Sequence, residues 1–271
     1  MSKEELIRID VAGVLKKRAP NQYVPRFIVN YLRRIVHEDE FNQFFRENPN
    51  LKNLDFIEAA FKYLGIELNI IGLENMPPKS GRYIFASNHP LGGLDGIATG
   101  YVVGKHFDGK VRFFSNDLML FLTPMREMFI PVNKFGNQSK GHAEMMKQLY
   151  ESDNNLVTYP AGMCSRKVNG KIIDLEWKKN FITKAVEYQR DVVPVYFEGR
   201  NSTFFYNLAN LRKFLGIKFN IEMMYLPDEM FKQKNKKFTI KIGKPIPWQT
   251  FDKSKSHSKW AEEVKELVYK L

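Results

Sequence analysis

Residues 83–96 read YIFASNHPLGGLDG, and how this stretch divides decides the fold. Its first six residues, YIFASN, form a short apolar run of the kind that makes a buried strand. Pro90, Gly92 and Gly93 then interrupt any regular element. A helical pattern follows over about 95–105. A strand, a tight turn and a helix form the repeating unit of an α/β chain. His89 and Asp95 fall in the turn. Glycines let the backbone fold tightly enough for the Asp95 carboxylate to return to the imidazole. In such a pair the acid fixes the ring tautomer and stabilises the protonated ring, leaving the other nitrogen to take a proton. The competing reading makes Asp95 a cap for a helix beginning at Gly96 and His89 incidental. The apolar strand just before the turn favours the pair.

The same texture extends along the chain. IELNIIG, VRFFSN, NLVTYP, VVPVYFEG and FTIKIG read as further strands, and the segments near 117–128, 139–151, 178–189 and 204–215 as further helices. This alternation predicts a mostly parallel central sheet with flanking helices. In such sheets ligands bind at the carboxyl ends of strands. Four polar-rich segments stand just past a strand and are expected to converge: SNHPLGGLDG, PVNKFGN, YPAGMCSRK and FEGRNS. The tail, FDKSKSHSKWAEEVKELVYKL, reads as a last helix with Trp260, Val264, Leu267 and Val268 on one face. KSKSHSK reads as a solvated basic loop.

Upstream of the sheet, residues 1–65 read as a helical region organised as an N-terminal hairpin. Pro20 and Pro25 separate its first helix from its second, and Gly65 is a plausible cap at its end. Phe27, Tyr31, Ile35 and Val36 recur at helical spacing, with Arg33 and Arg34 on another face. The region is expected to pack on the main domain, residues 66–271, and a basic amphipathic hairpin also suits an anionic membrane.

Of the 271 residues, 42 are Lys or Arg and 30 are Asp or Glu, a formal charge of +12. That field favours an anionic partner: nucleic acid, anionic lipid or an acidic substrate. The basic residues are dispersed and no nucleic-acid motif appears, which argues against nucleic acid. Cys164 is the single cysteine, so no intrachain disulfide forms and a reducing compartment is expected. A signal peptide is not expected, and no stretch reaches the roughly 18 apolar residues of a spanning helix. The five histidines and one cysteine show no metal-ligand spacing. No G-x-S-x-G elbow is present, so a hydroxyl activated by His89 would belong to the substrate. In YPAGMCSRK, backbone N–H groups with Ser165 and Arg166 suit an anion. Lys134 and Arg200 are further cationic candidates.

Taken in order, these segments resemble the glycerolipid acyltransferase superfamily, the PlsC-like enzymes. Asn88, His89 and Asp95 match its N-H-x4-D motif with five intervening residues rather than four. Lys134 matches the basic residue of the second motif, and YPAGMCSRK the third, F-P-E-G-T-R-S. Ala161 stands where the family has Glu, and Arg166 lies one place later. Val193, Pro194 and Val195 match the fourth motif. Both departures occur together in the branch of hemolysin-like proteins and of ornithine- and glycine-lipid O-acyltransferases, and H-P-x-G-x-x-D-G, P-A-G and F-x-G-x-N-S are similar to its signatures.

The resemblance implies a membrane-associated O-acyltransferase that moves a fatty acyl group from a thioester to the hydroxyl of a lysolipid. It implies His89 as general base oriented by Asp95 and no acyl-enzyme. Asn88, Gly92, Gly93, Lys134, Gly162, Ser165, Arg166 and Arg200 would bind substrate, and N–H groups near Gly162 or in the glycine turn would hold the oxyanion. No cofactor or metal is expected; acyl carrier protein or a coenzyme A thioester serves as co-substrate. A peripheral place on the cytoplasmic face of the inner membrane follows. The missing motif-three Glu points to an aminolipid acceptor. A 1-acylglycerol-3-phosphate acyltransferase is the alternative, and a non-enzymatic basic protein binding lipid or nucleic acid is a more distant one.

Overall fold

All six runs marked as strands pair into one sheet, and a short additional strand extends it. The computed structural model describes residues 8–18, 20–115, 122–131 and 140–271. The strands are β1 (Glu67–Ile71), β2 (Tyr83–Ser87), β3 (Val111–Ser115), β4 (Phe129–Pro131), β5 (Asn155–Thr158), β8 (Asp191–Phe197) and β9 (Lys237–Ile242). Their order is β1-β9-β8-β2-β5-β3-β4, and β6 (Arg166–Val168) with β7 (Lys171–Ile173) makes a separate hairpin. The β8–β9 pair is antiparallel; the other five neighbouring pairs of the sheet are parallel. The sheet is thus mostly parallel, as the alternation predicts.

The N-terminal region is four helices rather than a hairpin: α1 (Val11–Arg18), α2 (Arg26–Val36), α3 (Glu38–Glu47) and α4 (Asn53–Leu64). His37, left-handed at φ 56°, breaks α2 from α3. Gly65 at φ 63° caps α4, a conformation glycine adopts without a Cβ penalty.

Further helices cover both faces of the sheet: α5 (Leu94–His106), α6 (Lys140–Glu151), α7 (Asn180–Glu187), α8 (Thr203–Phe214), α9 (Leu226–Phe231) and α10 (His257–Val268). The period of two along β2 separates two cores. Phe85 packs with Leu94, Ala98 and Val102 of α5, while Ile84 and Ala86 pack with Ile182 of α7 and Val264 of α10. The central strand is therefore buried throughout, as a strand covered on both faces must be. Phe44, Phe45, Phe56 and Phe61 of α3 and α4 join the same core as Phe85 and α5, so the N-terminal helices and the sheet share one interior.

Three expectations change. Thr123–Met128 forms a 3-10 turn rather than part of a helix over 117–128, with Pro124 near its start and residues 116–121 outside the described ones. In α10 the buried stripe is Ala261, Val264 and Val268, and Leu267 points outward. On α2, Ile35 is buried but Phe27 and Tyr31 are exposed.

Arg190 shows how the sheet is held. It is fully buried and donates to the carbonyls of Tyr150 (2.6 and 2.9 Å), Ser152 (2.6 Å) and Asn154 (2.7 Å), pinning the α6–β5 turn to the start of β8. Burial pushes its pKa down to about 10, still charged at neutral pH. Arg190→Met keeps the stem but orphans three carbonyls. Unpaired buried groups cost about 1–3 kcal/mol each before relaxation. The variant should lose roughly 2–4 kcal/mol, read as a lower urea midpoint with an unchanged slope.

Candidate active site

The site lies where β2, β5 and β8 end side by side, at the point where strand order turns. Asp95 sits in the first turn of α5, fully buried. Its Oδ2 accepts from His89 Nδ1 at 3.0 Å and from the Leu91 N–H at 2.9 Å. Its Oδ1 accepts from the N–H groups of Gly93 (3.1 Å) and Gly96 (2.9 Å). The two sequence readings of Asp95 are therefore compatible, since the same carboxylate closes the helix start and holds the histidine. The positive end of the helix favours the anion there.

Gly92 makes the turn fit. Its φ is +78°, and a Cβ there would stand 2.9 Å from the Cys164 Cβ. Burial would raise the Asp95 pKa, but the His89 charge and hydrogen bond, with the N–H groups of Leu91 and Gly96, hold it below the usual value. For His89, burial pulls down most strongly among the separate influences. The Asp95 charge and hydrogen bond and the Asp174 charge together outweigh it, so its pKa is raised. The ring stacks on Tyr159 at 4.2 Å between centroids. Nδ1 thus faces the acid while the other nitrogen is left to exchange a proton.

Three of the four expected segments do converge. The Asn88 side chain pairs like a strand residue with Phe197: its Nδ2 donates to the carbonyl and its Oδ1 accepts from the N–H. Both amide atoms are engaged in joining β2 to β8. Ser165 and Arg166 lie inside as well. The Ser165 N–H donates to the His89 carbonyl at 2.7 Å, and its hydroxyl donates to Asp174 at 2.6 Å. The Arg166 guanidinium donates to the Cys164 carbonyl (2.8 Å) and to Glu222 (3.0 Å), a carboxylate also met by Arg212 at 2.9 Å. All three side chains are buried and engaged within the protein. The Gly162 N–H closes a turn onto the Tyr159 carbonyl at 2.8 Å and is not available to an oxyanion. Lys134 lies outside the described residues.

Sequence reasoning misses Asp174. This buried carboxylate accepts from the His89 N–H (3.2 Å), the Ser165 hydroxyl and Trp177 Nε1 (3.0 Å). With Ser165 on the carbonyl and Asp174 on the N–H, the His89 backbone is held on both sides. Asn201, which FEGRNS offers just past its strand, takes a defined place. Its Nδ2 donates to the carbonyls of Pro90 and Leu91 at 3.4 and 3.3 Å, while its buried Oδ1 has no partner among the described residues. FEGRNS marks Asn201 as polar and past a strand, but which atoms it would meet is a matter of tertiary structure.

One cavity is walled by the turn and a second adjoins the first. An apolar one of about 250 Å³ is walled by Gly92 and Gly93 of the turn, Val14 of α1, Leu32 of α2 and Met223 and Leu226 before and within α9. At Gly93 a Cβ would meet nothing within 4 Å. A polar one of about 380 Å³ is lined by Lys167, Arg200, Lys232 and Lys236 together with the Glu229 carboxylate, and shares Asn201, Glu229 and Gln233 with the first. Arg200 is exposed there. The arrangement sets an acid–histidine pair in a turn that walls an apolar cavity, with a polar cleft adjoining that cavity at Asn201.

The chain is similar to several known proteins. A protein named lyso-glycine lipid O-acyltransferase, from Bacteroides thetaiotaomicron, is 53% identical over 273 residues, spanning 100% of both chains. One of the same name from Phocaeicola vulgatus is 52% identical, over 100% of this chain and 98% of that one. The crystal structure of the 1-acyl-sn-glycerophosphate (LPA) acyltransferase PlsC from Thermotoga maritima superimposes with a TM-score of 0.49 and 20% identity, covering 95% of this chain and 87% of that one. The sequence profile of the Acyltransferase family matches residues 13–271, nearly the whole chain, and the protein belongs to that family of acyl-transferring enzymes.

Proposed function

We propose that this acyltransferase esterifies the hydroxyl of a lyso-glycine lipid, with acyl carrier protein or coenzyme A carrying the acyl thioester. The acceptor reading is supported by the full-length relatives that bear this name. The observation that carries the chemistry is the His89–Asp95 pair set in a turn that also walls an apolar cavity.

In this mechanism His89 Nε2 takes the proton from the acceptor hydroxyl as its oxygen attacks the thioester carbonyl. Asp95 stabilises the imidazolium that forms. In this reading the Gly92 N–H, which does not donate to Asp95 as those of Leu91, Gly93 and Gly96 do, meets the tetrahedral oxyanion. Collapse breaks the C–S bond, the thiolate regains the proton from His89, and the ester is complete. No acyl-enzyme is needed. One hydrocarbon chain occupies the apolar cavity, and the acceptor carboxylate lies toward Arg200 and Lys167. The enzyme works as a peripheral protein on the cytoplasmic face of the inner membrane, held to anionic lipid by its positive charge. Among the described residues no helix is long and apolar enough to cross a membrane.

The test is transfer of a labelled acyl group from acyl carrier protein to lyso-glycine lipid, lyso-ornithine lipid and lysophosphatidate. Lyso-glycine lipid should lead by at least about tenfold in kcat/KM; a lead for lysophosphatidate overturns the acceptor. His89→Ala should lower kcat by roughly 10³-fold, within the range for loss of a positioned base. An unchanged kcat overturns the mechanism.

The pH dependence follows in sign. The base works neutral, and its raised pKa places the rising limb of kcat/KM above the ordinary imidazole value. Asp174→Asn removes one charge that raises it, so the limb should move to lower pH, with the plateau reduced severalfold by the loosened His89 backbone. A limb that stays in place would show that Asp174 does not tune the base.

Burial pushes the Cys164 thiol up to about 11, so it remains protonated at neutral pH. Cys164→Ala should keep at least about half of the activity; a loss matching His89→Ala would make the thiol part of the chemistry.

A further inference from the structure

α8 is amphipathic twice over. Its inner face buries Phe205, Tyr206 and Ala209. Its outer face carries Phe204, Leu208, Leu211 and Leu215 at spacings of four, three and four, which is one stripe of a helix. Three of these are exposed, Leu208 is half-buried, and the stripe runs on into the 214–219 segment. There Phe214 is 86% and Phe219 65% exposed, with Ile217 between them also exposed. Scattered exposed apolar residues are ordinary, but a contiguous set of this size marks an interaction site.

The patch does not stop at α8. The Phe204 ring meets Tyr225 edge-on at 5.1 Å, and the Tyr225 hydroxyl bonds that of Tyr31 on α2. One helical turn back from Tyr31 stands Phe27, 73% exposed, and before it Tyr23, 85% exposed. Two outward apolar stripes therefore join at the Tyr31–Tyr225–Phe204 contact. The opposite faces of the same elements, through Leu32 of α2 and Met223 and Met224 beside Tyr225, wall the apolar cavity.

Charge selects the partner. Residues 11–36 hold six Lys or Arg and no Asp or Glu; residues 203–220 hold three and none. Residues 230–251 share this bias, with six Lys and no Asp or Glu, but lack the exposed aromatic stripe. Arg212 is paired with Glu222 and Arg33 with Glu38, and the other cations beside these aromatic and aliphatic side chains match an anionic lipid surface, which attracts the charge and accepts the rings at its interface.

We propose that the outer face of α8 with the 214–219 segment is a second membrane-docking element, which together with α2 seats the apolar cavity against an anionic bilayer. This rests on the reading that the acceptor is a membrane lipid.

Flotation with vesicles of phosphatidylglycerol and phosphatidylethanolamine tests it, using the whole protein. Wild type should float, and at least tenfold less with phosphatidylcholine alone. The double variant Phe214→Asp/Phe219→Asp should lose at least tenfold in vesicle partition while keeping kcat on a short-chain, monomeric acceptor within twofold, which also shows that it folds. Emission of Phe214→Trp, relative to wild type with its three tryptophans, should shift to the blue with anionic vesicles and be quenched by brominated lipid. If wild type floats, the double variant floats equally and Phe214→Trp gives no shift, while Tyr23→Asp/Phe27→Asp sinks, the α8 element is overturned and membrane docking through α2 stands. If wild type binds no vesicle, the peripheral-membrane reading falls with it. A wild-type dimer that becomes monomeric in Phe214→Asp/Phe219→Asp, without the blue shift, makes a second copy the occupant and overturns the proposal.

Discussion

The buried Asp95 carboxylate is the interaction on which the site depends. Four donors surround it: the His89 ring and the N–H groups of Leu91, Gly93 and Gly96. An isolated buried carboxylate is strongly disfavoured, so it persists only where hydrogen bonds and an opposite charge replace water. Here the replacement comes from the turn itself. The same bonds that keep Asp95 ionised fix the path of residues 91–96, and that path places Gly92 against Cys164 and opens Gly93 toward the cavity. Chemistry and backbone shape are thus one solution.

Around that centre the structure uses polar side chains as substitutes for regular pairing. Asn88 continues the β2–β8 ladder after β2 has ended. Asp174 and Ser165 bind the two backbone groups of His89 that no strand neighbour reaches. Arg166 and Arg212 together neutralise Glu222, which ties the segment before α9 to the third polar loop. Buried networks of this sort cost stability when incomplete, and they confine the histidine to a narrow range of orientations.

Much of this was legible in the sequence. Six apolar runs became six strands because each is covered on one or both faces, where hydrophobic pattern and burial agree. The His89–Asp95 pair was legible because both partners lie in one turn, six positions apart. Asp174 was not, since it meets His89 from 85 positions away and nothing in its own neighbourhood announces that contact. The internal partners of Ser165 and Arg166 were not legible for a related reason. Their residue types suit an anion, but whether a cation faces solvent or an internal carboxylate such as Glu222 depends on what the chain folds over it. The apolar stripe of α2 was recognised and its direction was not: Ile35 turns inward, Phe27 and Tyr31 outward.

The strand order has a consequence for how the protein is made. β1 pairs with β9, Glu67 opposite Lys237, and β2 lies between β5 and β8. Such partners leave the ribosome far apart in time. An emerging chain holds α1–α4 and β1 long before the strand beside β1 exists, so the phenylalanines of α3 and α4 remain without their full cover through most of translation. Long-range parallel pairing of this kind is slow and leaves apolar surface open to association. Production of the enzyme at high rate therefore calls for chaperone protection of its N-terminal third, and a C-terminal truncation that removes β9 strands β1 as an unpaired edge.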